Sequence, residues 1–294
     1  MYSAIAANKR RTWVILLLFV ILVAALGYLF GLVWGGGHGY SYTALALVIA
    51  SVYALIQYFA AAKIALAVNG ARPVSKRDAP GYYRTVENLC IADGLPMPAL
   101  YIMNDPAPNA FTTGRDPLHS ALCVTSGLLE MMTDTELEGV LAHELSHIKN
   151  FDIRVMMIVF GLVSAVGLIA DFMSNMFWWG GRDRDNQNQV TIIIALVAAI
   201  LAPLVASLIQ LAISRRREYL ADGSGALLTR YPEGLASALE KIAAHGSKLR
   251  VQNTSTAHLF FANPLSGKAL ANLFSTHPPV QDRINKLRSM GNKL

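Results

Sequence analysis

The sequence predicts an α+β membrane protein, with four transmembrane helices carrying a mostly helical cytoplasmic domain that contains a small antiparallel sheet. Three observations predict it. Of the 294 residues, 54% are hydrophobic and only 15% charged, and the mean hydropathy is +0.40; that balance suits neither a water-soluble globule nor a disordered chain. The apolar residues gather into two pairs of long runs. The remaining stretches carry helical and strand periodicities broken by Pro, Gly, Asn and Asp.

The first pair lies in an N-terminal hairpin, 1–69. Trp13 to Trp34 is uncharged and long enough to cross the ~30 Å hydrocarbon layer as a helix. A cleavable signal would have an apolar core of only ~7–15 residues, so this run reads as a signal anchor. After a glycine-rich loop, a second run extends from about Tyr42 to Ala62. Lys9-Arg10-Arg11 before the hairpin and Lys63, Arg72, Lys76 and Arg77 after it keep both ends in the cytoplasm. A second hydrophobic hairpin, 151–213, runs from Val155 to Trp179 and from Val190 to Ile213. Asp171 would cost ~2.5–3.5 kcal/mol at mid-membrane and Pro203 would kink its helix, so a hairpin lying on the membrane surface is the alternative. Arg215-Arg216-Arg217 marks a return to the cytoplasm. The soluble parts, 70–150 and 214–294, are then two halves of one domain split by that hairpin. The net charge of +6 sits in clusters beside apolar runs. These are topology signals, and no nucleic-acid partner is expected. Two cysteines, Cys90 and Cys123, are too few for a disulfide framework and suit a reducing compartment.

Within the soluble halves, Pro80 to Asp93 has helical spacing, with Pro at its start and Gly94-Leu95-Pro96 at its end. Leu100–Met103, Asn109–Gly114 and Ala121–Thr125 read as three short strands of an antiparallel sheet. The middle run is the most polar and follows Pro106 and Pro108, as an edge strand would. Thr133 and Glu136 have capping-box spacing and open a strong helix, whose buried stripe is Leu137, Val140, Leu141, Leu145 and Ile148. Pro232 to Ala244 and Pro279 to Met290 read as two further helices, and Ser247 to Thr256 as a polar loop.

The capped helix carries His143-Glu144-Leu145-Ser146-His147. At i and i+4 the imidazoles leave one face a single turn apart and can share a metal ion, while Glu144 lies beside the metal without ligating it. Zinc suits such a donor set and, in a catalytic site, leaves a position for water. An HExxH match arises by chance in such a chain with an expectation of ~0.005. A structural zinc site would generally call for four ligands rich in cysteine, and neither cysteine is in the motif. For the third ligand the best candidate is Glu218. It begins where the last hydrophobic run ends, as the histidine helix ends where the preceding run begins, so both segments meet at one membrane boundary. Asp222, one turn on, would accept a hydrogen bond from a ligating imidazole; solvated polar positions are the plain alternative for this Glu–Asp pair.

The HExxH helix, the downstream Glu218-to-Asp222 segment, the paired hydrophobic hairpins and the Asn109-Ala110-Phe111 run together resemble the HtpX family of bacterial membrane zinc metalloproteases, relatives of the CAAX prenyl endopeptidases. The resemblance implies a gluzincin-like domain facing the cytoplasm from the bacterial inner membrane as part of a multi-pass chain. It also implies one Zn2+ per chain on His143, His147 and Glu218, and Glu144 as catalytic base. The implied activity is cleavage of misfolded membrane proteins under stress. Phe151 departs from the family, where a small residue is expected. In such a site Glu144 takes the proton of an attacking water and delivers it to the leaving amine. Asn109, Ala110, Phe111 and Thr112 would bind substrate as an added strand, or form an ordinary edge strand. His277, with its Pro278-Pro279, and Arg283 are candidates for a second oxyanion donor and a cation, as the resemblance suggests, or surface residues without such a role. A narrow-specificity CAAX-type processing protease is the alternative within enzymes. A channel or transporter using Asp171 is the alternative from another class.

Overall fold

A computed structural model describes residues 2–33, 39–165, 215–246, 248–250, 255–263 and 278–291. Helices α1 (Tyr2–Val33) and α2 (Gly39–Val68) pack along each other. Their outward faces are apolar: Trp13, Leu17 and Ile21 on α1, and Val48, Leu55 and Phe59 on α2, are all exposed. Among the described residues one helix, Tyr40–Val68, is long and apolar enough to cross a bilayer, and almost none of its most apolar stretch is buried. Of the second hydrophobic pair, the first residues fall in helix α6 (152–165), where Val155, Val159 and Leu162 pack with Ile15 and Phe19 of α1. The rest of that pair, with Asp171 and Pro203, lies outside the described residues.

Among the described residues the domain beyond α2 is mostly helical with one four-stranded sheet: β1 (Arg72–Pro73), β2 (Ala99–Met103), β3 (Ala110–Asp116) and β4 (His119–Thr125). The sheet is mixed, in the order β1-β2-β4-β3, which corrects the expectation of an antiparallel one. The tight turn at Pro117-Leu118 forces β3 and β4 antiparallel. The β2-to-β3 connection instead carries the chain across to the far edge, so β4 returns between them and pairs with β2 in parallel, Leu100 opposite Leu122. The middle run is an edge strand in this order, as expected.

Helix α3 (Pro80–Asp93) has Pro at its first turn and ends on Gly94 in the left-handed region, φ +67°, whose N–H reaches Cys90 O. A short α4 (Ser126–Met131) leads into α5 (Asp134–Lys149). The capping box of α5 is complete: Glu136 Oε2 accepts from Thr133 N at 2.9 Å, and Thr133 Oγ1 accepts from Glu136 N at 3.4 Å. All five residues of the expected stripe are buried, each aliphatic side chain contributing ~1.5–3 kcal/mol. Helix α5 is the axis of the domain, packed by α3, by α7 (Arg215–Thr229), by α8 (Pro232–His245) and by β3. A short 3-10 turn (Ala257–Leu259) and α9 (Val280–Gly291) complete the described chain. Cys90 and Cys123 are buried and unpaired.

Candidate metal centre

The middle of α5 brings His143 and His147 to the face that meets α7, and both imidazoles are buried. Their Nε2 atoms lie 3.1 Å apart. Glu218, in the first turn of α7, places Oε2 3.8 Å from His143 Nε2 and Oε1 3.7 Å from His147 Nε2. One donor atom from each of the three lies within 4.8 Å of the others. Tetrahedral zinc with bonds of about 2.0–2.2 Å sets its ligands about 3.3–3.5 Å apart, so these donors suit one ion.

A carboxylate stands behind each imidazole. His143 Nδ1 is 2.9 Å from Asp222 Oδ1, which sits off the ideal N–H line, and His147 Nδ1 is 2.9 Å from Asp152 Oδ2. Because an ionised carboxylate only accepts, each Nδ1 carries the hydrogen and both Nε2 lone pairs turn inward. The charges favour a cation, a proton or a metal, where those two atoms meet. Burial alone would push His147 down, but the Asp152 hydrogen bond and the charges of Glu218, Asp152 and Glu144 pull it up to about 9. For His143 burial wins, opposed by Asp222, and its pKa falls. The surrounding carboxylates thus favour positive charge between the two rings, which a divalent cation supplies.

Asp222 is held by Arg283 on α9 through two bonds, Nε to Oδ2 at 2.9 Å and Nη2 to Oδ1 at 2.7 Å. Burial would raise the Asp222 pKa, but the Arg283 charge and the bonds from His143 and Arg283 lower it to about 2. Arg283, itself buried, therefore meets the site through Asp222. Glu144 is buried on α5 and accepts a hydrogen bond from Thr112 Oγ1 at 3.0 Å, which ties β3 to the helix.

The other residues named from sequence divide. Asn109 gives Nδ2 to Ala262 O at 2.8 Å and receives Ala262 N at 3.1 Å on its Oδ1. Ala110 O accepts from Phe261 N at 2.8 Å, and the Phe111 ring packs on Phe260 at 4.9 Å. The first half of the β3 edge is thus paired with the chain's own 260–262 segment, and Phe261 sets its ring edge-on to His143. His277 lies outside the described residues. Sequence reasoning missed Asp152 and Phe261. Asp152 stands five residues after His147, outside the i, i+4 rule, and Phe261 carries no signal beyond its apolarity.

A family profile for Peptidase family M48 matches residues 77–291. The chain is 51% identical over 293 residues to a "Protease HtpX homolog" of Tropheryma whipplei, covering 100% of this chain and 99% of that one. A "Protease HtpX homolog" of Dictyoglomus turgidum is 45% identical, covering 99% and 95%, and one of Streptococcus uberis is 42% identical, covering 99% and 100%. Among solved structures, the crystal structure of S. mikatae Ste24p shares the fold with a TM-score of 0.52 at 17% identity, covering 98% of this chain and 67% of that one.

Proposed function

The chain belongs to peptidase family M48 and is a zinc metallopeptidase, and on that premise we propose that it is a membrane-anchored endopeptidase cutting cytoplasmic segments of misfolded membrane proteins. The observation that carries the reading is the convergence of His143 Nε2, His147 Nε2 and the Glu218 carboxylate beside Glu144. These three residues would hold one zinc ion per chain, with Asp152 and Asp222 fixing the imidazoles. When bound, zinc supplies Lewis acidity at that point.

The rest of the chemistry belongs to the protein's own groups. Glu144, steadied by Thr112, takes a proton from the water that attacks the scissile carbonyl and hands it to the departing amine nitrogen as the C–N bond breaks. Arg283 keeps Asp222 ionised, and Asp222 keeps His143 oriented. The peptide would lie along the β3 edge beyond the part that Asn109, Ala110 and Phe111 give to the 260–262 segment, from Thr112, which turns towards Glu144, onward. Support for the membrane reading comes from the outward apolar faces of α1 and α2 and from the basic clusters at their ends. The proposed topology is four spans in a bacterial inner membrane, with the metal centre on the cytoplasmic side and a role in quality control under stress.

Glu144→Gln is the test. The variant is expected to keep its metal by elemental analysis and to lose at least about 10²-fold in cleavage of casein, an unfolded substrate. Glu218→Ala is expected to lose the metal. Full proteolysis by Glu144→Gln, or unchanged metal in Glu218→Ala, would overturn the assignment.

A further inference from the structure

A second site lies apart from the metal centre, where α1, α2 and α6 meet the end of β3. A groove of 520 Å³ runs there between Leu16 and Phe19 of α1, Leu55 of α2 and Leu162 of α6. Its walls are almost wholly apolar, yet one end is strongly basic, with Arg115 from β3 and Arg154 from α6 both lining it. Trp13 and Tyr58 flank that basic end, and a smaller adjoining cavity is lined by the same two rings and Arg154.

The two arginines share the groove with, among the described residues, only one long carboxylate contact between them. Arg154 Nε donates to the backbone carbonyl of Arg115 at 2.7 Å, which holds the Arg154 side chain against β3 beside Arg115. Among the described residues Arg154 has no carboxylate partner, and its guanidinium lies over the Phe151 ring. The carboxylate nearest Arg115 is Asp116, whose Oδ2 lies 3.6 Å from Arg115 Nε while its Oδ1 takes the N–H and ring of His119, so this one carboxylate is shared between two partners. Arg115 otherwise lies over Tyr58 and Phe59, contacts that leave its N–H fork free for an anion. Two cations lining one almost wholly apolar groove call for an anionic group with an apolar tail.

We propose that this groove holds an anionic phospholipid, its phosphate on Arg115 and Arg154 and one acyl chain between α1, α2 and α6. The orientation agrees with a bilayer. The basic end adjoins the domain that carries the metal centre, and the walls leading away from it belong to the two hairpin helices whose outer faces are exposed and apolar. Tryptophan and tyrosine stand at the junction, where amphipathic rings collect in membranes. Two arginines near a membrane surface favour an anionic headgroup over a zwitterionic one, by at least about tenfold.

The proposal rests on the membrane-anchored reading, and alkaline carbonate extraction of membranes tests that reading separately. For the site itself, full-length zinc-loaded protein in detergent is mixed with dioleoylphosphatidylglycerol, dioleoylphosphatidylcholine or inorganic phosphate, and retained molecules are counted by native mass spectrometry. One phosphatidylglycerol per chain is expected, retained at least about tenfold over phosphatidylcholine. The double variant Arg115→Gln/Arg154→Gln is expected to lose that preference with zinc content unchanged. Ser51→Phe, which fills the groove and leaves both arginines in place, is expected to abolish retention. Equal retention of the two lipids, displacement by inorganic phosphate, a preference that survives the double variant, or a co-purifying apolar peptide in the groove would each overturn it.

Discussion

The residue that most alters the picture of the metal centre is Asp152. Its two oxygens divide their work: Oδ2 faces His147 Nδ1 at 2.9 Å, while Oδ1 accepts from Asn8 Nδ2 at 2.6 Å and lies 3.6 Å from Arg217 Nε. Asp152→Asn would replace an acceptor-only group with one that can turn an N–H toward the ring, losing the restraint on the tautomer. Zinc affinity is expected to fall about 10- to 100-fold, as measured by chelator competition; unchanged affinity would reduce Asp152 to packing. The sequence made some of this centre legible and hid the rest for a physical reason. His143, Glu144 and His147 follow from helical periodicity, and Asp222 sits one turn after Glu218 on the same face. Between His147 and Asp152, however, α5 ends at Lys149 with Asn150 as its cap, and Phe151 turns through the left-handed region at φ +59°. That turn resets the phase, so no spacing rule reaches Asp152. It also explains why a small residue is the expected occupant of position 151, since a bulky side chain is disfavoured in that conformation.

At the scale of elements, the site exists because α5 and α7 approach unusually closely. A Cβ added at Gly225 would lie 2.9 Å from His143 N and 3.2 Å from its Cα. Glu218, Asp222 and Gly225 share one helical face, so the glycine that admits the backbone of α5 is also what lets both acids reach the histidines. Gly225→Ala is expected to destabilise the domain by ~1–3 kcal/mol and to lower zinc content, read by thermal unfolding and elemental analysis; an alanine variant with parental metal and stability would show that the helices give way freely. The strands illustrate a different limit. Their existence was legible from turn residues and β-rich runs, but the β1-β2-β4-β3 order depends on which edge the β2-to-β3 connection crosses to, and no local pattern encodes that. The joint between α5 and α8 has a pH signature. Burial would raise the Glu136 pKa, but bonds from Lys241, Ser237 and Thr133 pull it from 4.5 to about 2. Since the folded pKa is depressed, this contribution is complete above pH 4.5 and is lost as pH falls toward 2. Glu136→Gln should therefore have a lower Tm than the parent at neutral pH, with the gap closing between pH 4.5 and 2; a constant gap would assign the effect to shape instead of charge.

Over the whole molecule, the hairpin and the catalytic domain are a single connected body. The apolar runs and the metal motif could each be recognised in the sequence, but nothing local joined them, because the connecting bonds link residues more than a hundred positions apart. Asn69 at the end of α2 accepts from Thr256 Oγ1 at 3.2 Å. At the other end, buried Asn8 of α1 donates through Nδ2 both to Asn150 O at 3.0 Å and to Asp152 Oδ1 at 2.6 Å. The path from the first helix to a metal-site imidazole is therefore Asn8, Asp152, His147. An anchor that merely tethered the domain would need no such link. Asn8→Ala removes one donor from a buried carboxylate, with an expected cost of ~1–3 kcal/mol, and zinc should be lost to a chelator several-fold faster. Asn8→Asp sets a second carboxylate against the first and should be worse on both counts, since the repulsion acts where water cannot screen it. Full-length protein in detergent, followed by thermal unfolding and by the rate of zinc release, separates the possibilities: release rates that match the parent in both variants would leave α1 as an anchor alone, whereas rates rising from Ala to Asp would make the N-terminal helix part of what holds the metal.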